Sequence, residues 1–231
     1  FHVEPDGALP PWMSASQVAL CAYAEVLATS GVERGLIGPR EVPRLWQRHL
    51  LNCAVVADPS LSLVGTGARI ADIGSGAGLP GVVWAIVRPD VRVWVIEALL
   101  RRATFLTEVV SSLGLADRVE VVRARAEALA RDGSWRPVDV VTARAVAPLP
   151  TLLRWMVPLM GRNGVALALK GARAAEEVAT VQSTGGAGVE LGPPGTGPLD
   201  LSELSLEITS AGVGVLDPPT TVVVARRRRA E

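Results

Sequence analysis

The segment Ala71-Asp72-Ile73-Gly74-Ser75-Gly76-Ala77-Gly78-Leu79-Pro80-Gly81 lies where an apolar run ends and a helical pattern begins. Glycine lets the chain turn sharply and lets a ligand approach the backbone, and the first turn of a following helix offers unpaired N–H groups. Two cofactor chemistries fit. Gly76, Gly78 and Gly81 satisfy the G-x-G-x-x-G dinucleotide fingerprint, and Glu97, 19 residues past Gly78 and at the end of the next predicted strand, suits a ribose hydroxyl in either case. A glycine turn that binds nothing is the plain alternative.

Three features favour S-adenosylmethionine over a dinucleotide. Asp72 opens a D-x-G-x-G-x-G order with Gly74, Gly76 and Gly78, the arrangement of Rossmann-like methyltransferases. A carboxylate there can orient the loop and the donor's amino group, whereas a pyrophosphate would be repelled by it. A dehydrogenase needs a proton-transfer group, yet the only tyrosine is Tyr23, His49 falls in an N-terminal helical region, and no Tyr-x-x-x-Lys pair occurs. Finally, Ala126 and Glu127 follow the third predicted strand, where such enzymes place a small acidic turn beside an adenine.

The acceptor is read from what the chain lacks and what it has. Methylation of a pyrimidine carbon normally needs a cysteine nucleophile, but Cys21 and Cys53 both fall in the N-terminal helices. An exocyclic adenine amine calls for an Asn/Asp-Pro-Pro-aromatic loop after strand four, where this chain reads Thr142-Ala143-Arg144-Ala145-Val146-Ala147-Pro148. A ring nitrogen with an in-plane lone pair, such as guanine N7, needs no base and suits a site without obvious catalytic groups. Positioning candidates are Arg144, at a strand's C-terminal end, and Lys170, the only lysine; an ion pair or a solvated strand end is the ordinary reading of each. Arg101 and Arg102 open a helix where its dipole disfavours cations, which hints at an anionic partner. Arg48 and His49 can reach the cleft and touch RNA, although a histidine on an apolar face is more often a core residue.

The elements that must hold these residues follow from periodicity. Residues 16–30 and 41–56 read as two amphipathic helices, the second with Leu45, Trp46, His49, Leu50 and Cys53 on one face. From residue 68 short apolar runs at 69–73, 91–96, 118–122, 138–142 and 164–169 alternate with helical patterns at 79–87, 99–113, 124–130, 149–159 and 172–181. Such alternation predicts an α/β, Rossmann-like fold with a mostly parallel sheet and helices on both faces. Runs at 204–208 and 220–225, reached through the Gly/Pro-rich linkers GGAG and GPPGTGP, add two antiparallel edge strands and make seven. The expected division is a helical cap at 1–66, a methyltransferase-like domain at 67–225 and an Arg-rich tail at 226–231 carrying Arg226 to Arg229.

Composition bounds the rest. The 231 residues are 49% hydrophobic, ample for one large core, and 23 basic residues balance 23 acidic ones. A neutral total does not exclude an anionic partner. No run approaches the ~18 to 20 apolar residues of a membrane span, and two cysteines and two histidines without ligand spacing predict no metal site and suit a reducing cytoplasm. The start at Phe1 suggests that the N-terminus is incomplete or processed.

Together these residues resemble the bacterial 16S ribosomal RNA guanine-N7 methyltransferases, also called glucose-inhibited division protein B. The resemblance runs through Arg48-His49-Leu50-Leu51-Asn52, the glycine loop with Leu79-Pro80-Gly81, Arg101-Arg102-Ala103-Thr104-Phe105-Leu106, Arg144-Ala145-Val146-Ala147 and Leu169-Lys170-Gly171. It implies a cytoplasmic enzyme that uses S-adenosylmethionine to methylate one guanine of 16S rRNA in the small subunit or its precursor; the oligomeric state stays open, with a monomer favoured. It also implies donor contacts at Gly74, Leu79, Ala126, Glu127 and Arg144, with Glu97 on the ribose. The chain departs from the family in having Glu97-Ala98-Leu99-Leu100-Arg101-Arg102 for Asp-Ser-x-x-Lys-Arg, where Glu97 keeps the carboxylate and Arg101 the charge, and in having Asn52 for Asp. A small-molecule methyltransferase and a non-catalytic S-adenosylmethionine-binding module are the rival readings.

Overall fold

The computed structural model describes residues 4–5, 7, 9–144, 146–184 and 200–228. The linkers GGAG and GPPGTGP, Ala145 and Arg229 lie outside the described residues. Seven strands, β1 Arg69–Ile73, β2 Arg92–Ile96, β3 Val119–Val122, β4 Val138–Arg144, β5 Met160–Lys170, β6 Leu204–Ala211 and β7 Thr220–Arg227, form one sheet in the order β3-β2-β1-β4-β5-β7-β6. The first five are parallel, and β7 runs antiparallel between β5 and β6. This is the expected Rossmann-like architecture.

Alternation along each strand sorts its side chains between two cores. Ile70, Val140, Leu167, Val222 and Val224 pack on one face with α1 (Gln17–Val26), α3 (Gly81–Val87) and α4 (Leu100–Ser112). Ala71, Val141, Ala166, Ala168 and Val223 face α5 (Ala126–Arg131), α6 (Leu149–Met156) and α7 (Ala174–Thr184). Burial on both faces is what makes these strands read as continuous apolar runs. The cap and the sheet share the first of these cores, since Leu20, Tyr23, Leu45, Leu50 and Val56 pack into it.

Two expectations need correction. The predicted helix 41–56 is not regular: tight turns at Pro39–Arg44 lead into wide π-type turns at Trp46–Leu51 and then the short α2, Asn52–Ala54. Pro43, inside these turns, has no N–H for the carbonyl four residues back and its ring crowds that carbonyl, so a regular α-helix cannot run through them. Nor are Arg226 and Arg227 a free tail. They close β7 opposite Ser205 and Leu204, Arg227 donates to the Val157 carbonyl at 3.0 Å, and Arg228 bonds the Ser202 and Glu203 carbonyls.

Candidate active site

In an open α/β sheet, ligands collect where parallel strands end and the strand order reverses. Here that place lies between β1, β2 and β4, and the glycine loop that leaves β1 bends back over β2, with Gly74 N–H donating to the Ile96 carbonyl at 2.8 Å. Gly74 has φ +65°, and a Cβ on it would lie 3.0 Å from Val146, so both conformation and space demand glycine.

The loop borders a cleft of about 430 Å³, within the size range of small-molecule sites. Its lining comes from Ala124, Arg125, Ala126 and Glu127 after β3, from Gly74, Gly76 and Leu79 after β1, from Glu97, Ala98 and Arg102 after β2, from Arg144 and Val146 at and after the end of β4, and from Leu36, Ile37, His49 and Trp155. Glu97 is only 4% exposed, accepts from Gly76 N–H at 3.1 Å and Leu99 N–H at 2.9 Å, and has Arg102 at 3.8 Å. Each carboxylate oxygen still has a lone pair for a vicinal diol. The small apolar Ala98 and Ala126 leave flat space for a purine. An S-adenosyl nucleoside fits this donor set and this volume.

Asp72 and Gly78 play a different part from the one their motif suggests. Asp72 is fully buried behind the loop, its Oδ2 accepting from Gly81 N–H at 2.9 Å and its Oδ1 without a partner among the described residues. Burial pushes its carboxyl up to about 6. The first N–H of α3 is therefore already taken, and neither Asp72 nor Gly78 lines the cleft.

Arg144 does line it, but as a bridge. Its Nη1 donates to the Arg48 carbonyl at 3.1 Å and its Nη2 lies 3.0 Å from His49 Nδ1. Because arginine can only donate, Nδ1 must accept, which puts the proton on Nε2, 3.0 Å from Glu41 Oε2. Burial first and the Arg144 charge second hold the His49 pKa below its usual value, while Glu41 partly opposes them. The imidazole is neutral at pH 7.

Residues 16–185 match the sequence model of the family described as GidB, rRNA small subunit methyltransferase G. The chain belongs to this family. Curated relatives named ribosomal RNA small subunit methyltransferase G include those of Rhodococcus jostii, 47% identical over 98% of this chain and 96% of its own length, and Salinispora arenicola, 50% identical over 90% and 80%. The fold is also that of solved methyltransferases. A protein of Methanococcus maripaludis assigned as S-adenosyl-L-methionine-dependent superposes with a TM-score of 0.58 at 13% identity over 98% of this chain and 99% of that one. A methyltransferase of Geobacter sulfurreducens gives 0.53 at 15% identity over 96% and 94%.

Within this chain, Gly74, Gly76, Leu79, Glu97, Ala126, Glu127, Arg144, His49 and Arg102 meet at one cleft. Arg48 is exposed and paired with Glu41 at 3.0 Å, and Arg101 is exposed; neither lines the cleft. Lys170, a positioning candidate in the sequence, is only 8% exposed and donates to Glu177 Oε2 at 2.7 Å and to the Ala147 carbonyl at 2.9 Å. The acid four residues into α7 has claimed it. Leu36, Ile37, Arg125, Val146 and Trp155 were missed in the sequence reading. Leu36 and Ile37 had a signal, an apolar pair between Gly35 and Gly38, as did Arg125 beside Ala126 and Glu127.

Proposed function

We propose that the chain transfers a methyl group from S-adenosylmethionine to N7 of a guanine in 16S rRNA, presented by the small ribosomal subunit or its precursor in the cytoplasm, and that it acts as a monomer. The observation that carries this reading is the cleft itself: a glycine loop, a buried Glu97 and the Ala126-Glu127 turn aligned along one wall, in a chain of the small-subunit methyltransferase family. Bound there, S-adenosylmethionine supplies an electrophilic methyl on a sulfonium. Glu97 holds the ribose hydroxyls, Ala98 and Ala126 sandwich the adenine, and the backbone at Gly74 and Gly76 bounds the methionine end.

What remains for the protein is alignment and exclusion of water. Guanine N7 brings its own lone pair and needs no base. Two groups of the cleft that could act as a base are already engaged, Glu97 with the loop and His49 with Arg144 and Glu41. Arg144, fixed by the cap, bounds the end at which an unstacked guanine enters, while the exposed Arg48, Arg101 and Arg102 lie ready for phosphates. The test is transfer of tritiated methyl to small subunits from a strain lacking the gene, mapped by cleavage at N7-methylguanine. One labelled guanine is expected; no label despite measured donor binding overturns the acceptor.

A further inference from the structure

Tyr23 is the only tyrosine in the chain and sits fully buried on α1 in the cap. A buried phenol has left its water partners and needs a replacement. This one donates to the carbonyl of Ala77, 54 residues away, in the middle of the glycine loop. The next residue, Gly78, has φ +98°, and a Cβ built on it would lie 2.7 Å from the Tyr23 hydroxyl and 2.6 Å from Val82 Cγ2. The loop backbone therefore rests directly on the phenol, with no room for a side chain between them. Ala77 and Gly76, on the other side of the same turn, line the cleft. Burial, with Cys53 and Asp72 nearby, holds the hydroxyl's pKa well above 10, so it remains a donor at neutral pH.

The cap makes other bonds on this side of the molecule, but these reach the helix after the loop: Trp84 Nε1 donates to the Cys53 carbonyl at 2.8 Å and Ser16 Oγ to the Ile86 carbonyl at 3.1 Å. Tyr23 reaches the loop itself. We propose that Tyr23 is a positioning residue for the methyl donor, its hydroxyl fixing the Ala77–Gly78 peptide and thereby the loop backbone that bounds the cleft. The inference rests on that cleft being the donor site. A helix outside the parallel sheet is then part of the donor machinery.

Tyr23→Phe removes one oxygen and keeps the ring in the core. The whole chain is titrated calorimetrically with S-adenosylhomocysteine, and the KM for donor, the KM for subunits and kcat are measured beside the melting temperature. Loss of one neutral hydrogen bond predicts a roughly five- to tenfold weaker Kd and an equal rise in the donor KM, with kcat at saturating donor and the subunit KM unchanged. Ser16→Ala, which removes a cap bond to α3 and leaves the loop alone, is the control and should keep wild-type donor affinity. Tyr23→Phe binding as tightly as wild type, or Ser16→Ala losing as much, overturns the proposal. Should Tyr23→Phe fail to fold, Gly78→Ala, which pushes a methyl against the same hydroxyl, must weaken donor binding or the proposal falls. A wild-type chain that binds no S-adenosylhomocysteine overturns the donor site itself, a separate failure.

Discussion

Partly buried His49 and fully buried Asp72 feel the same arginine and respond to acid in opposite senses. His49 has its folded pKa held below 6.5, so its contribution to stability is present above that value and lost as pH falls through the lowered one. Protonation would also remove the lone pair that receives Arg144 and set a third cation beside Arg144 and Arg48, with Glu41 the one acid in contact among the described residues. Methyl transfer should therefore fall on the acid side with a midpoint below 6.5, and His49→Asn, which offers an amide oxygen near the Nδ1 position, should lack that limb in a pH–rate profile. Asp72 behaves the other way. Its carboxyl rises from 3.8 to about 6, so its contribution is complete below 3.8 and lost as pH rises through about 6. Asp72→Asn should raise the melting temperature at pH 7.5 relative to wild type; a lower one would show that the charge is compensated. At Gly74 a branched side chain meets both a φ of +65° and Val146, so Gly74→Val should abolish S-adenosylhomocysteine binding by calorimetry. The glycine loop, Glu97 and the 126–127 turn were legible because their spacing along the chain is their chemistry. The Glu41–His49–Arg144 chain was not, since it joins residues 95 apart through side chains that no local pattern connects.

Among the elements, the strands were the most legible and the cap the least. The run predicted at 69–73 is β1 to the residue, because Ile70, Ala71 and Ile73, buried on the two faces, form a short apolar run that stops at the glycine loop. In the cap the apolar spacing was real, but the prolines at 39 and 43 and the wide turns after them changed how that face winds. The arginines at 226 and 227 looked like a solvated tail because charge hides strand pairing where β7 runs out past its buried stretch. Lys170 ends β5, and its bonds to Glu177 and Ala147 tie α7 and the segment after β4 to the strand. Glu177 also accepts from Leu149 N–H, the first residue of α6. Lys170→Met would leave that carboxylate without its cation, and a loss of about 1–3 kcal/mol in urea unfolding is expected. An unchanged midpoint would mean that Glu177 is held by α6 alone.

For the molecule as a whole, neutrality conceals an uneven surface. Arg101 and Arg125 make no ion pair among the described residues, and Arg102 approaches only Glu97; Arg102 and Arg125 line the cleft and Arg101 adjoins Arg102. The apparent KM for subunits should rise with salt while donor affinity stays flat, and Arg101→Ala should lower the salt slope by about 0.7–0.9 if it neutralises one phosphate. The register of the sheet has a temporal consequence. Ile70 of β1 pairs with Val140 of β4, so the glycine loop and Arg144 face each other only after a long stretch of chain has closed into a parallel pair. Contacts between residues far apart along a chain form slowly, whereas helical turns form early. A refolding chain should thus regain its helical signal before it can hold a fluorescent donor analogue, because the cleft comes into being with the centre of the sheet.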